Sequence, residues 1–580
     1  MAVENLITEH IDIWTSAVKA RSTSGRGSSK KLELYGVKKL RELILDLAVR
    51  GKLVPQDPNN EPASVLLECI AEEKDNLIKE KKIRKPIKTE QIGSDEVPFE
   101  LPVGWEWRRL VHLVTVLGDG LHGTPEYSEN GEYFFVNGNN LSNGSIQIKP
   151  ETKRVSEEQY LKHKKDLNDR TVLVSINGTL GNVGFYNNEA VMLGKSACYF
   201  NLFQDISKDY IKRLIESPYF RNYAFAVATG STIKNLGLKA MNNFVLAVPP
   251  KAEQHRIAAK VDELMALCDQ LEQQTEDSIE AHQVLVTTLL DTLTNSADAD
   301  ELMQNWAQIS EHFDTLFTTE ESIDQLKQTI LQLAVMGKLV PQDTSDEPAA
   351  ELLKRIAEEK ARLVKDKKIK KQKALPPISE DEKPFELPNG WEWCRFGNVA
   401  TSRLGKMLDK SKNVGTPLPY LRNTNVQWHK FDLDDIKLMK IEDSEREEFL
   451  VLPGDLLICE GGEPGRCAIW EDEKQEIYFQ KALHRARPLG QCLPEYLQVC
   501  LTVDAANGVL DNYFTGATIK HFVGAKLNNY IHPLPPVEEQ KRIVNKISDL
   551  IKICEQLQCL LRQSQTTQLH LTDAILEKTV

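Results

Sequence analysis

The chain has 580 residues, of which 41% are hydrophobic and 27% charged, a balance typical of a soluble globular protein with several domains. Its apolar stretches are shorter than the roughly 20 residues of a membrane helix, and its start lacks a secretory signal, so we expect a cytoplasmic protein without a membrane partner. The net charge of −13 argues against nonspecific coating of nucleic acid, because phosphate contacts need Lys and Arg.

The chain begins with a predicted helical region. Apolar residues at helical spacing indicate two helices, over Leu40 to Leu53 and over Pro62 to Lys82, with a break near Gly51 and Pro55. An acidic linker that contains proline then leads to PFELPVGWEW at Pro98, which we interpret as the entrance of a separate domain.

Short β-rich runs separated by Gly, Asn and Asp follow, such as VHLVTVL from Val111 and TVLVSINGTLGNVGFY from Thr171. They predict a compact α/β or α+β domain. Gly118 to Gly123 has the GxGxxG spacing of a dinucleotide loop, but the next residues include Pro125 and predict a turn instead of the phosphate-binding helix. We therefore expect no cofactor at this loop.

A long helix is predicted after Pro249 and Pro250, since proline can start a helix but not continue one. Its apolar residues alternate steps of four and three, which is the seam of a helix that packs lengthwise against another. The seam contains Ile257, Val261, Leu264, Cys268 and Leu271. An ordinary amphipathic core helix explains the same spacing, so both interpretations stay open.

This arrangement then occurs a second time. LAVRGKLVPQD at Leu47 to Asp57 returns as LAVMGKLVPQD at Leu333 to Asp343, an offset of 286 residues. At the same offset PFELPNGWEW recurs at Pro384, TGSTIK recurs as TGATIK at Thr515, and the heptad seam recurs from Ile543. The inserts between these frames are unlike, and the second contains the runs LPYLRNTNVQW and GDLLICEGGEPGRCAIW. The chain is two copies of one module with a divergent insert in each.

Frames that stay alike while inserts differ are expected of a protein whose frames bind identical partners and whose inserts bind different targets. The alternative is a structural or regulatory scaffold whose variable domains bind proteins. The sequence has no GxxxxGK[ST] phosphate loop and no Asn/Asp-Pro-Pro-aromatic tetrapeptide of adenine methyltransferases. Its ten cysteines also lack the spacing of a zinc site. We therefore predict a non-catalytic recognition protein without a metal.

The chain resembles the specificity subunits of type I restriction-modification systems over nearly its whole length. Asp119 to Pro125 (DGLHGTP) is similar to the DGxHxTP opening of the family's target domains, and Ser175 to Gly184 resembles its glycine-turn strand pair. The exits TGSTIK and TGATIK, each followed by PPxxEQxRI, are the most specific match. The second insert has Leu404 to Leu408 in place of DGLHGTP, which implies that the two domains read different half-sites.

The resemblance implies an α+β fold in which two globular target-recognition domains are joined by long antiparallel, coiled-coil-like helices with an internal pseudo-twofold repeat. The expected boundaries are residues 1–97 for an N-terminal helical frame, 98–250 for the first target-recognition domain, 251–383 for a helical spacer that docks partners, 384–536 for the second target-recognition domain and 537–580 for a C-terminal helix.

The implied function is to read a bipartite, asymmetric site on double-stranded DNA and to direct adenine methylation or restriction by other subunits. Two methyltransferase subunits and motor-nuclease subunits are the implied partners. S-adenosylmethionine, ATP and magnesium are expected on those partners, and no cofactor is expected on this chain.

DNA contacts are expected from polar residues of the insert loops and the exits, because such side chains read base edges or bind phosphates. The candidates are His122, Thr124, Asn137, Asn139, Asn140, Ser231, Thr232 and Lys234 in the first copy, and Lys406, Arg422, Asn423, Asn425, Thr518 and Lys520 in the second. The short polar residues of the exits suit a structural capping role equally well, and the sequence leaves that choice open.

Overall fold

The computed structural model describes residues 3–21, 31–85, 89–371, 373–409 and 413–579. The chain forms two compact units. The first unit contains residues 1–279 and 563–580, and the second contains residues 280–562. Two long helices, of 45 and 43 residues, each contribute to both units. Among the described residues, no helix is both long enough and apolar enough to span a membrane.

The first unit combines helices with short strands. Its helices are α1 (Val3–Glu9), α2 (Ile11–Ser16), α3 (Tyr35–Val49), α4 (Ala63–Lys79), α5 (Glu157–His163), α6 (Lys208–Glu216), α7 (Pro218–Val227), α8 (Leu238–Asn243), the beginning of α9 (Lys251–Asn295) and the end of α18 (Val537–Thr579). Its strands are β1 (Lys19–Arg21), β2 (Lys31–Glu33), β3 (Glu106–Arg109), β4 (Val114–Asp119), β5 (Tyr133–Val136), β6 (Leu141–Ser142), β7 (Ser145–Ile146), β8 (Arg154–Val155), β9 (Thr171–Ser175), β10 (Val183–Phe185), β11 (Val191–Leu193), β12 (Ala197–Leu202) and β13 (Val245–Val248).

The second unit has the same kinds of elements. Its helices are the end of α9, then α10 (Ala299–Glu311), α11 (Phe313–Leu316), α12 (Glu320–Val335), α13 (Ala349–Lys365), α14 (Phe396–Val399), α15 (Arg446–Phe449), α16 (Pro494–Ala506), α17 (Gly524–Asn529) and the beginning of α18 (Val537–Thr579). Its strands are β14 (Glu392–Arg395), β15 (Ala400–Leu404), β16 (Thr416–Leu421), β17 (Val426–Gln427), β18 (Lys430–Phe431), β19 (Lys437–Ile441), β20 (Leu456–Cys459), β21 (Cys467–Ile469), β22 (Tyr478–Phe479), β23 (Leu483–Pro488) and β24 (Ile531–Leu534).

The two divergent inserts have matching sheet topologies. The four-stranded sheet has the order β10-β9-β12-β4 in the first unit and β21-β20-β23-β15 in the second, with antiparallel pairing throughout. The three-stranded sheet has the order β11-β5-β8 and β22-β16-β19, and each contains one parallel pair. Inserts that are unlike in sequence therefore present their loops from the same framework. The predicted mixture of helix and sheet is confirmed.

The frame helices end as the sequence predicts. α3 ends at Val49, and Gly51 takes a positive φ of 68° that is costly for any residue with a side chain. A Cβ atom on Gly51 would also lie 2.5 Å from the ring of Pro102. Gly337, its counterpart after α12, has a φ of 72° and the same close approach to Pro388. The glycine of GKLVPQD therefore stops the helix and lets the domain entrance pack against it.

The heptad seam of α9 faces the core of the first unit. Its first four members, Ile257 to Cys268, are buried together with the apolar side of α3, from Leu40 to Leu47. In α18, Ile543 and Cys554 are buried in the core of the second unit. The seam residues thus pack as core side chains of their own units. Pairing of the two long helices with each other stays a prediction.

Candidate nucleic-acid interface

The candidate surface of each unit lies at the carboxyl ends of its parallel strand pair, β5 with β11 and β16 with β22. The loop after β5 begins at Asn137, and the loop after β16 begins at Arg422. Gly194, just after β11, donates a backbone hydrogen bond to the last residue of β5 at 2.8 Å. Gln480, just after β22, donates the equivalent bond to the last residue of β16 at 3.1 Å. Each loop is therefore fixed beside the turn that follows its partner strand.

In the first unit, the loop from Asn137 to Asn140 holds three of the predicted site residues in different settings. Asn140 is 5% exposed; its Oδ1 accepts from the Asn137 N–H at 3.0 Å, and its Nδ2 donates to Gln147 O at 3.0 Å. The Asn137 Oδ1 accepts from the hydroxyl of Ser196 at 2.9 Å. Asn139 is exposed. Asn140 and Asn137 thus fix the loop, and Asn139 is the side chain that it presents to solvent.

The second unit builds its loop in the same way. Asn425 is 2% exposed; its Oδ1 accepts from the Arg422 N–H at 2.9 Å, and its Nδ2 donates to Asp432 O at 2.9 Å. The Arg422 guanidinium lies 2.8 Å from the carboxylate of Asp435. Asn423 Nδ2 donates to Gly461 O at 3.3 Å. Asn425 has the position that Asn140 has in the first unit, while the partly exposed residues beside it are different.

The opening segments of the inserts reach the same edges. The backbone N–H of Leu121 donates to the last residue of β11 at 2.7 Å, and that of Lys406 donates to the last residue of β22 at 3.1 Å. The side chain of His122 is 72% exposed, with Nε2 2.6 Å from Asp119 Oδ2, and Thr124 is exposed. Lys406 differs from these residues because its side chain is 8% exposed and its ammonium group forms an ion pair with Glu445. Hydrogen bonding from Lys406 lowers the pKa of the Glu445 carboxyl.

The exits TGSTIK and TGATIK form tight loops of the same shape. Thr229 and Asn235 exchange backbone hydrogen bonds of 2.8 and 3.0 Å across the first loop, and Thr515 and His521 do so at 2.8 and 2.9 Å across the second. Gly230 makes the turn possible with a φ of 94°, since a Cβ atom there would lie 2.2 Å from a backbone oxygen of the same loop.

The predicted site residues of the exits project from these loops. Ser231, Thr232 and Thr518 are exposed, and within the described part of the chain their hydroxyls make no capping hydrogen bond. Lys234 is half-buried, and Lys520 is exposed with Nζ 2.9 Å from a carboxylate oxygen of Asp511. The three hydroxyl side chains are therefore open to a ligand, whereas Lys520 already has an anionic partner. Whether they bind DNA stays a prediction.

A glycine-containing turn joins the separate loops in each unit. In the first unit the backbone of Ile176 donates to Ser196 O at 3.0 Å and accepts from the Leu236 N–H at 2.8 Å. In the second unit Glu460 donates to Ala482 O at 2.9 Å and accepts from the Phe522 N–H at 2.7 Å. We call the segments Ile176–Gly181 and Glu460–Gly465 the central turns. Each central turn is hydrogen-bonded both to the segment after the parallel strand and to the exit loop, so the backbone segments that carry the candidates of one unit are linked through it.

The sequence analysis did not identify the residues that connect the inserted domain to the repeated frame. Glu253 of the PPxxEQxRI segment is 1% exposed and accepts from the indole N–H of Trp105 at 3.0 Å and from Gln56 Nε2 at 2.6 Å. Glu539 accepts from Trp391 at 2.9 Å and from Gln342 at 3.3 Å in the second unit. We call these two groups the junctions. Burial raises the pKa of both carboxyl groups, while the donors oppose the rise.

The next residue of each junction fixes the inserted domain. Gln254 Oε1 accepts from the Ser207 N–H at 2.9 Å while its Nε2 donates to Pro249 O at 3.0 Å. Gln540 bonds Leu493 and Pro535 at 3.0 and 2.9 Å in the same way. The repeated strings GKLVPQD, GWEW and EQxRI therefore meet at one place in each unit. Their exact repetition was the signal that could have identified the junctions.

Sequence comparison places the chain among known proteins. The model of the type I restriction modification DNA specificity domain matches residues 102–281 and 388–562. The specificity subunit of the type I restriction enzyme EcoEI from Escherichia coli is 41% identical, over 99% of both chains. That of EcoAI, also from Escherichia coli, is 40% identical over 100% of both chains.

Among solved structures, a chain from a study of complex assembly and conformational transition of the type I R-M system aligns with a TM-score of 0.46 and 17% identity. The alignment covers 83% of this chain and 99% of that chain. The family match covers both inserts with their exits, and the two relatives match from end to end. The chain therefore belongs to the family of type I restriction enzyme specificity subunits, and its role is DNA sequence specificity.

Proposed function

We propose that the chain reads a bipartite, asymmetric site on double-stranded DNA, with one half-site read by each target-recognition domain, at residues 98–250 and 384–536. The observation that carries this proposal is the pair of matching frameworks with unlike exposed loops. His122, Thr124 and Asn139 stand at the edge of the first framework, whereas Arg422 and Asn423 stand at the edge of the second. Side chains of different hydrogen-bonding type select different base pairs.

The repeated frames fit a pseudo-twofold arrangement that docks two methyltransferase subunits, with motor-nuclease subunits joining for restriction. Residues 1–97, 251–383 and 537–580 would form this frame, and the long antiparallel helices would set the gap between the half-sites. α9 alone, with 45 residues, is about 67 Å long at 1.5 Å per residue. The partners would supply S-adenosylmethionine, ATP and magnesium and would modify a target adenine in each half-site, in the cytoplasm.

A map of methylated adenines tests this function. The chain is expressed in a host without adenine methylation, with and without its methyltransferase partner, and the genome is sequenced for modified bases. We expect a two-part motif only when both proteins are present. Asn423→Ala should change the preference in one half of the motif by about 1–3 kcal/mol and leave the other half unaltered. A stable complex with an active partner but no motif would contradict the proposal.

Relieving the ion pair at Lys520 is expected to strengthen DNA binding. Asp511→Asn removes the carboxylate 2.9 Å from Lys520, which would otherwise compete with a phosphate. Exposed pairs of this kind contribute up to about 1 kcal/mol, so we expect at most a fivefold gain in affinity at low salt and a smaller gain at high salt. Titrations of a labelled duplex at two salt concentrations measure the effect. Asp549→Asn, on the exposed side of α18, is the control with the same charge change, and equal gains in both variants would contradict the local competition.

A further inference from the structure

A lysine stands at the same register in the two divergent inserts. Lys195 and Lys481 are separated by 286 residues, which is the offset of the frames. Each follows the end of the second parallel strand, β11 or β22, by two residues and precedes the next strand by two residues. Both are exposed. Two inserts of largely unlike sequence thus present a cation from the same point of the framework.

The backbone around each lysine is anchored to the candidate loops. Ser196, next to Lys195, donates its hydroxyl to Asn137 Oδ1 at 2.9 Å and accepts from the Gly138 N–H at 2.9 Å. The N–H of Lys481 donates to Lys406 O at 2.8 Å. The lysines are therefore held at the edge where the predicted base-reading loops begin, and not on a separate face of the domain.

The side chains of these two lysines have no carboxylate partner within the described ranges. This distinguishes them from other cations at the second surface, where Lys406 pairs with Glu445, Arg422 with Asp435 and Lys520 with Asp511. An anion that approaches Lys195 or Lys481 would meet a charge that the protein itself has not neutralised.

A second lysine lies in another segment that is hydrogen-bonded to each central turn. The backbone of Ile176 bonds both Ser196, which follows Lys195, and Leu236, and the Gly178 N–H donates to Lys234 O at 3.0 Å, so both lysines belong to segments that are hydrogen-bonded to this turn. The bonds of Glu460 link the segments of Lys481 and Lys520 in the same way. Each central turn is thus bonded to two segments that carry a cation.

We propose that Lys195 and Lys481 bind DNA phosphates and act with Lys234 and Lys520 as a matched pair of cations in each domain; this inference rests on the proposed DNA-reading function. Phosphates are the same at every base pair, whereas base edges differ. A residue that binds the backbone is therefore free to be identical in two domains that read different half-sites, as Lys195 and Lys481 are. The residues that read bases must differ, as those of the neighbouring loops do.

The test uses the complex of the full chain with its methyltransferase partner and two duplexes, one with the motif from the methylation map and one without it. Dissociation constants are measured across a salt series for Lys195→Ala and Lys481→Ala. The slope of log K against log salt is negative, and each lost phosphate contact should reduce its magnitude by about 0.9, which corresponds to roughly fivefold weaker binding near 0.15 M salt. We expect the same weakening on both duplexes.

Two variants control for other causes. Lys195→Arg retains the charge and should restore most of the affinity, while Lys552→Ala removes an exposed lysine of α18 and should leave the slope unchanged. Assembly with the partner, measured by gel filtration, shows that each variant is folded. A slope equal to that of the wild type, or a loss confined to one base position of the motif, would overturn the phosphate role.

The proposed function can fail separately. In that case the methylation map would show no motif, and the wild-type complex would bind duplexes of unrelated sequence with equal affinity. The salt slope on the duplex without the motif would still test the lysines, because phosphate contacts do not depend on base sequence.

Discussion

Trp391→Ala is expected to lower the free energy of unfolding of the second unit by about 3–5 kcal/mol, the usual cost of removing a buried tryptophan side chain. Trp391 is 5% exposed, and its ring packs edge-on against Tyr496 with 6.3 Å between ring centroids. Its indole N–H is also a donor to Glu539, so the substitution leaves a buried carboxylate with one hydrogen bond fewer. Trp105→Ala should have the same effect on the first unit, through Tyr210 and Glu253.

Hydrogen exchange measured by mass spectrometry across a urea series reports each unit separately, which the overlapping fluorescence of eight tryptophans does not. Trp306→Ala is the matched control in the same unit, because Trp306 is 36% exposed and should change stability by no more than about 0.5 kcal/mol. Trp391→Phe retains much of the ring packing and should cost less than alanine. Equal losses for Trp306→Ala and Trp391→Ala would contradict the importance of the junction.

Acid is expected to destabilise the second unit through His532. This residue is fully buried in β24, and burial lowers its pKa from 6.5 to about 4. Between these values the unfolded chain binds a proton that the folded chain does not. The stabilisation is therefore complete above pH 6.5 and is lost as the pH falls towards 4. The full loss is on the order of 3 kcal/mol.

The first copy of the module supplies the variant that isolates this effect. Leu246 stands 286 residues before His532, at the equivalent place in β13, and is 1% exposed. His532→Leu should therefore fit the site and remove the histidine's share of the pH dependence. Asp504 titrates with the opposite sign in the same unit, because burial raises its pKa to about 6, and its effect cancels when the variant is compared with the wild type.

The measurement is the free energy of unfolding of the second unit at pH 7, 5.5 and 4.5. The stability difference between wild type and His532→Leu should shift steadily in favour of the variant as the pH falls. His312→Leu, at an exposed position of the same unit, should follow the wild-type curve. Parallel curves for wild type and His532→Leu would show that His532 does not carry the acid sensitivity.

The sequence predicted the frames and the strands because these features depend on local spacing. The helices predicted over Leu40 to Leu53 and over Pro62 to Lys82 correspond to α3 and α4. The helical spacing of apolar residues and the glycine that ends the helix can both be recognised in the sequence. The strand runs from Val111 and from Thr171 were found as β4 and as the pair β9 and β10. The exits were recognised from their repetition and from their resemblance to the family.

The site was less predictable, for two physical reasons. Glu253 meets Trp105 across 148 residues of sequence, so neither residue shows its partner in its local pattern. Asn140 and Asn425 have the same role but stand 285 residues apart, because short insertions and deletions shift the register inside the inserts before the offset of 286 returns. Polar composition selected both asparagines as DNA candidates, whereas their burial makes them supports for the neighbouring loop residues.

Residues 563–579 belong to the first unit, and this affects the order in which the two units can finish folding during synthesis. Ile575 and Leu576 pack against the hydrophobic core to which α3 contributes. The hydroxyl of Tyr35, the first residue of α3, donates a hydrogen bond to Asp573 at 2.8 Å. A ribosome synthesises Tyr35 more than five hundred residues before it reaches Asp573. Domains fold as they emerge during synthesis, yet this one acquires the helical segment that begins at Gln563 only after residues 280–562 have been synthesised. The first unit therefore reaches its final form after the second unit has been synthesised.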